Sequence, residues 1–192
     1  AIDLYHPYLK LALSKELISL VTGYFGFVPI LSDLRLWYSP NDKDEIDGSQ
    51  YFHLDYADVS QVKVFVLITD VDHDSGPTAV VDASSSRKIC DSINYRLSNK
   101  DIRIPDEVIF SYINPSVVTT AVGKSGSLFI ADTSRCLHYG SRYAKKPRAV
   151  LMLQYVSPFS FRFSLQYRNE AKFANFISEK NSAAINMLLG CD

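Results

Sequence analysis

The sequence lacks most of the features that mark specialised chains. Its three cysteines (Cys90, Cys136 and Cys191) are too few and too irregularly spaced for a disulfide framework. The odd count points to reduced thiols and a cytoplasmic setting. No apolar run approaches the ~18 residues needed to cross a bilayer, and no leader-like segment opens the chain, so no membrane partner is expected. A formal net charge of −1 provides no basic field for nucleic acid. At most, the local run from Arg142 to Arg148 suits one small anion. Glycine and proline are sparse, at eight each, which excludes fibrous and low-complexity classes. The chain begins with Ala1 rather than Met, so a trimmed start with a missing preceding piece is expected. Oligomeric state leaves no trace in the sequence.

What is present is the composition of one globular domain over residues 1–192, 47% hydrophobic and 21% charged. A chain of this length buries about 70% of its unfolded surface and needs no disulfide or structural metal. Twelve Tyr and eleven Phe against one Trp point to β structure.

Apolar residues at helical spacing predict a helix over about 8–26, with Gly23 and Gly26 near its stop. From residue 27 the period changes. Strands are predicted within 28–38 and at about 49–56, 61–70, 77–82, 107–112, 117–122, 127–131, 135–139 and 148–157. The polar stretch 83–106 reads as a functional loop, and Arg87, Lys88, Tyr95 and Arg96 make it a candidate substrate lid for a small polar or anionic molecule. A second amphipathic helix over about 169–189 closes the chain. Short, regularly spaced strands with helices outside suggest a sandwich or a jelly roll; alternation does not separate the two.

The chemistry favours the jelly roll. On a strand, His53 and Asp55 share one face while Phe52 and Leu54 take the other. Two histidines and one carboxylate on one face of an octahedron are the donor set of non-haem iron(II) oxygenases. His-x-Asp alone is common, so a second His decides. His6 precedes Pro7 at the start of the chain and suits a surface role. His73 sits among Asp70, Asp72 and Asp74 in a polar turn that reads as solvated. His138 follows the apolar strand around Phe129 and is the chosen ligand. Cys136 beside it raises a Cys/His zinc site, but structural zinc requires four ligands and no second Cys is near. Ten residues on, Arg148 begins a strand whose Arg148, Val150, Met152 and Gln154 share a face. An inward guanidinium needs a partner, and a dicarboxylate suits its planar fork.

In this order the residues resemble the phytanoyl-CoA dioxygenase-like family of iron(II)/2-oxoglutarate oxygenases, from about Val28 to Phe161. The matching features are His53-x-Asp55, then Val64-Phe65-Val66-Leu67-Ile68-Thr69-Asp70-Val71 with Ser75-Gly76-Pro77. Gly126-Ser127-Leu128-Phe129-Ile130-Ala131-Asp132, His138 and Pro147-Arg148 follow. The resemblance implies a mainly β fold with flanking helices, a double-stranded β-helix (cupin-like jelly roll) over about 27–161. It implies iron(II) held by His53, Asp55 and His138, and 2-oxoglutarate held at its far carboxylate by Arg148. The implied reaction uses O2 to hydroxylate a small-molecule substrate, releasing succinate and CO2. Asp55 disfavours halogenation, because related halogenases lack that carboxylate. Two departures stand out. Asp82-Ala83-Ser84-Ser85-Ser86-Arg87 replaces the Pro-Gly-Ser-His of many members. Gly140 stands where a Ser or Thr often follows the distal His, leaving Ser141 as the candidate hydroxyl for 2-oxoglutarate. The alternatives are a jelly-roll metalloenzyme that does not use 2-oxoglutarate, a zinc hydrolase with the same ligands, and an inactive binding module.

Overall fold

The structure, a computed structural model, describes residues 6–40, 46–95, 103–160 and 172–190. Arg96, Cys191 and residues 169–171 of the expected C-terminal helix lie outside them. The described chain enters through two helices, α1 (Pro7–Ala12) and α2 (Lys15–Phe25), rather than one over 8–26. The break falls at Leu13–Ser14, where Ser14 is extended and its hydroxyl accepts the Leu17 N–H, capping a new helix. Gly26, at φ 78°, ends α2 in the left-handed conformation.

Among the described residues seven strands follow in chain order: β1 (Ile30–Ser39), β2 (Gln61–Leu67), β3 (Ala79–Val80), β4 (Thr119–Thr120), β5 (Leu128–Asp132), β6 (His138–Tyr139) and β7 (Arg148–Val156). They form two antiparallel sheets, one in the order β1-β7-β2-β5 and a smaller one in the order β4-β3-β6. The fold is mostly β with a few helices.

β2 shows why the layers sit as they do. It is buried along its whole length and alternates in character. Val62, Val64 and Val66 pack with Leu9, Leu17 and Val21 of the helices and with Leu151 and Leu153 of β7. Each fully buried valine contributes roughly 1.5–3 kcal/mol. The opposite row, Gln61, Lys63, Phe65 and Leu67, faces the interior, where Phe65 and Leu67 meet Val150 and Met152. Register aligns the inner rows across the sheet: Trp37 and Leu67 against Val150, Arg35 and Phe65 against Met152, Asp33 and Lys63 against Gln154.

Several expected elements differ. The strand over 107–112 is a helix, α4 (Asp106–Phe110): Pro105 precedes it and Asp106 and Glu107 fill its first turn, an arrangement the N-terminal helix dipole favours. The loop over 83–106 begins as α3 (Ala83–Ser92), capped by Asp82, whose carboxylate accepts the Ser85 N–H. Ser86 and Ile89 form its inner face. Ile89 and Ile109 pack with Phe52, Val81 and Leu137 in a second core. The strand over 49–56 reduces to a 3-10 turn, Gly48–Gln50, and single bridges at Phe52 and His53. The described part of the C-terminal helix is a 3-10 turn, Ala174–Phe176, followed by α5 (Ala183–Leu188) with Ser182 as its cap. Its apolar side still faces the core, with Phe173 and Leu188 buried against the helices and the large sheet. Among the described residues no helix is long and apolar enough to cross a membrane.

Candidate metal centre

His138 lies on β6, and His53 pairs with it as an added edge of the smaller sheet. Asp55 is placed by a different contact: its N–H donates to Thr133 O at 2.9 Å, and Thr133 N–H donates to Gln61 O at 2.8 Å. The His53–Asp55 step is therefore not a regular strand, yet alternation survives. Phe52 and Leu54 join the second core while His53 and Asp55 turn the other way. One ligand atom from each of His53, Asp55 and His138 lies within 4.8 Å of the others. The His53 and His138 Nε2 atoms stand 3.9 and 3.5 Å from the Asp55 oxygens. One ion can bridge such separations with bonds of about 2.1 Å.

The ring orientations are set from behind. His53 Nδ1 bonds to Tyr51 O at 2.9 Å and His138 Nδ1 to Cys136 O at 3.0 Å. Each carbonyl needs a donor, so Nδ1 carries the proton and Nε2 presents a lone pair to the centre. Cys136 thus serves through its carbonyl. Its thiol is free, and burial pushes it up to about 11. Burial also pushes both imidazoles down, His138 to about 3, so both are neutral at physiological pH and suited to be ligands. Burial alone would raise the Asp55 carboxyl. The neighbouring His138 charge and the Lys63 ammonium override that and hold it well below the usual carboxylate range. Because His138 is neutral near pH 7, Lys63 is the effective cation there.

Three residues that support this centre escaped the sequence reading. Lys63, only 9% exposed, places Nζ 2.6 Å from Asp55 Oδ2. Gln61 Nε2 donates to the same oxygen at 3.0 Å and also approaches Thr133 Oγ1 and Gln154 Oε1. Thr78 offers its hydroxyl to both Arg148 Nη atoms, at 3.4 and 3.3 Å. In the sequence Gln61 and Lys63 show only as polar residues alternating with valines, which on a strand ordinarily marks a solvent-facing side.

Arg148 is 5% exposed, and burial lowers it to about 10. Among the described residues it has no carboxylate partner, and its Nε is buried without a hydrogen bond. It lines a cavity of about 420 Å3 together with His53, His138, Thr78 and Ser141. A second cavity, of about 450 Å3, lies on the Asp55 side and is lined by Gln61, Met152 and Gln154 among others. Lys63 and Trp37 border both. The inward row Arg148, Val150, Met152, Gln154 expected for the last strand therefore runs through both cavities.

The other expected site residues are placed as follows. Arg87 and Lys88 lie exposed on α3, and Arg87 approaches Asp91 at 3.8 Å. Tyr95 points its hydroxyl to the Leu54 N–H at 3.2 Å, beside the metal donors. His6 caps α1. His73 is exposed in a 3-10 turn whose neighbours Asp70, Asp72 and Asp74 pair with Lys124, Lys146 and Lys145. Arg142 binds no free anion site; it forms a two-bond pair with Asp106 at 2.8 Å and stacks over Tyr139.

No family model matches the chain, and no curated protein matches it in sequence. Solved structures do match in fold. The non-heme alpha-ketoglutarate-dependent epimerase SnoN from nogalamycin biosynthesis aligns with TM-score 0.55 at 16% identity, over 79% of this chain and 56% of SnoN. EctD from S. alaskensis with bound Fe aligns with TM-score 0.56 at 18% identity, over 79% of this chain and 53% of EctD. EctD with 2-oxoglutarate and 5-hydroxyectoine gives TM-score 0.56 at 16% identity, covering 95% and 64%. The chain thus spans between half and two thirds of these proteins' length and shares their fold.

Proposed function

We propose that this chain is an iron(II)- and 2-oxoglutarate-dependent dioxygenase built on a double-stranded β-helix, of the phytanoyl-CoA dioxygenase-like kind. Its reaction is hydroxylation of a C–H bond in a small-molecule substrate, with release of succinate and CO2. The observation that carries this reading is the pairing of a His-Asp-His donor set with a buried Arg148 that has no carboxylate partner among the described residues, on the wall of one cavity. The fold neighbours support it: one EctD structure holds Fe, another holds 2-oxoglutarate.

The residues present fit both groups. Two neutral imidazoles and one carboxylate are the donor set that non-haem iron(II) takes while leaving positions open. A guanidinium with an orphaned Nε has unused donors for a carboxylate. When bound, iron(II) and 2-oxoglutarate together supply the activation of O2. The protein's own residues do the rest. His53 and His138 keep their Nε2 lone pairs inward through the Tyr51 and Cys136 carbonyls. Lys63 and Gln61 hold Asp55 through its Oδ2. Arg148, aimed by Thr78, anchors the far end of the co-substrate, with Ser141 on the same wall. The two imidazoles are themselves buried, His53 at 6% and His138 at 4% exposure.

The test is an anaerobic titration with iron(II) and then 2-oxoglutarate, read through the weak visible charge-transfer band of a chelated keto acid. A saturable band, weakened in Arg148→Ala, is expected. Stoichiometric iron binding without any band would point to a metalloenzyme that does not use 2-oxoglutarate. Absence of iron binding would sink the proposal.

A further inference from the structure

We propose that the cavity on the Asp55 side receives a small organic anion as the molecule to be oxidised, and that Lys63 reads its charge. This rests on the oxygenase reading above. The inner face of the large sheet carries both cavities, and β7 runs through them. Arg148 and Val150 line the first; Met152 and Gln154 line the second. The metal donors divide the same way, with His53 and His138 on the Arg148 side and Asp55 on the other. Once 2-oxoglutarate fills the Arg148 end, the open approach to the centre is the cavity of about 450 Å3 beside Asp55. That volume suits a molecule of amino-acid or sugar size.

Charge then selects the class. Among the described residues lining this cavity, Lys63, Arg35 and Lys172 are cations, and Asp33 and Asp55 are the anions. Asp33 is shared: Arg35 Nε lies 2.5 Å from one of its oxygens, and Lys172 bonds to the other. Among the described residues Lys63 pairs with Asp55 alone, the carboxylate that a metal ion would also claim. The described lining therefore carries an excess positive charge before any metal binds, and a larger one afterwards. A neutral guest leaves that charge uncompensated in a partly enclosed space, and a cation worsens it. An anion placed against Lys63, with its hydrocarbon part on Trp37 and Met152, balances the site and brings a C–H bond beside the triad. Lys63 lines this cavity, which puts its ammonium within reach of a guest there.

Trp37 is the only tryptophan in the chain and borders both cavities, so its emission reports occupancy. The experiment uses the full chain loaded with zinc, which keeps oxygen chemistry out. It is first titrated with 2-oxoglutarate and then, at saturation, with three probes of matched shape: cyclohexanecarboxylate, cyclohexanecarboxamide and cyclohexylmethylamine. The carboxylate is expected to bind at least tenfold more tightly than the other two. Lys63→Met should abolish that preference, Lys63→Arg should restore most of it, and Arg35→Gln, on an exposed side chain, should reduce it several-fold. If 2-oxoglutarate itself gives no saturable change, or Arg148→Ala leaves its affinity intact, the oxygenase reading fails. If 2-oxoglutarate binds normally but the three probes bind alike or not at all, the present proposal alone is overturned. A carboxylate that competes with 2-oxoglutarate and depends on Arg148 rather than Lys63 also overturns it.

Discussion

His53 and His138 exchange backbone hydrogen bonds in both directions, His53 N–H to His138 O at 3.0 Å and His138 N–H to His53 O at 3.1 Å. Two donors far apart in sequence are thereby one structural unit, and their rings face each other at 4.3 Å between centroids. The donor set forms only when the smaller sheet has closed.

Acid should loosen the metal-free chain from an unusually high pH. Burial lowers His138 from 6.5 to about 3 and lowers His53 as well. Between those values the unfolded chain binds protons that the folded chain refuses, so stability falls as pH drops below about 6.5. One such group contributes up to about 1.4 kcal/mol per pH unit. Asp55, whose folded carboxyl is depressed below 3.8, adds to the loss at lower pH, in the same direction. Urea midpoints between pH 7.5 and 4.5 measure this, and His138→Gln should flatten the slope. A flat wild-type profile would contradict the assignment of neutral imidazoles.

Arg148→Met should separate stability from binding. A buried guanidinium with no counter-ion among the described residues costs folding free energy, so the ligand-free variant is expected to be more stable by about 1 kcal/mol or more. Its affinity for 2-oxoglutarate should fall on the order of a hundredfold, the worth of a two-bond charged contact. Melting temperature and the keto-acid band report the two effects. A destabilised variant with unchanged affinity would make Arg148 a structural residue.

Gln61→Leu keeps side-chain bulk on β2 while removing the amide that supports Asp55. Metal affinity should drop by about 10- to 100-fold, as for other residues that orient a ligand from behind. The Ala57 N–H also loses its acceptor, so a stability loss of about 1–2 kcal/mol should accompany it. Competition against a chelating dye gives the first quantity and urea unfolding the second. An unchanged metal affinity would leave Lys63 as the sole support of the carboxylate.

Gly76→Ala should be costly for local reasons. At φ 60°, an added Cβ falls 2.7 Å from Arg142 O and 2.9 Å from Ser141 Oγ. Left-handed strain and this collision together should cost at least about 2 kcal/mol. The turn it closes precedes Thr78, the hydroxyl that aims Arg148, so co-substrate affinity should weaken too. A urea midpoint within error of the wild type would refute this account of the turn.

The candidate donor residues stand out in the sequence because each breaks an apolar pattern with a chemically specific type. His53 and Asp55 alternate with Phe52 and Leu54, and Arg148 heads an otherwise apolar row. Where one signal competes with another, legibility fails. Val108-Ile109-Phe110 reads as strand by side-chain type, yet Asp106 and Glu107 after Pro105 start a helix, and the starting signal prevails. Ser84-Ser85-Ser86 looks like loop, but Asp82 caps a helix whose Ser86 and Ile89 sit in the core. Residues 8–26 keep one apolar period across a real break, because both helices lie on the same sheet face. Lys63 and Gln61 were passed over because alternation on a strand normally marks polar residues as solvent-facing. Only the second sheet, which no local pattern shows, makes that face an interior.

Trp37 and Lys63 form a shared boundary between two compartments. Any guest that shifts either side chain from one side alters the shape and field of the other. By thermodynamic reciprocity, a co-substrate that improves the fit of the substrate must itself be held more tightly when the substrate is present. In the proposed oxygenase, the mutual affinity of the two guests is then a property of this partition as well as of the metal.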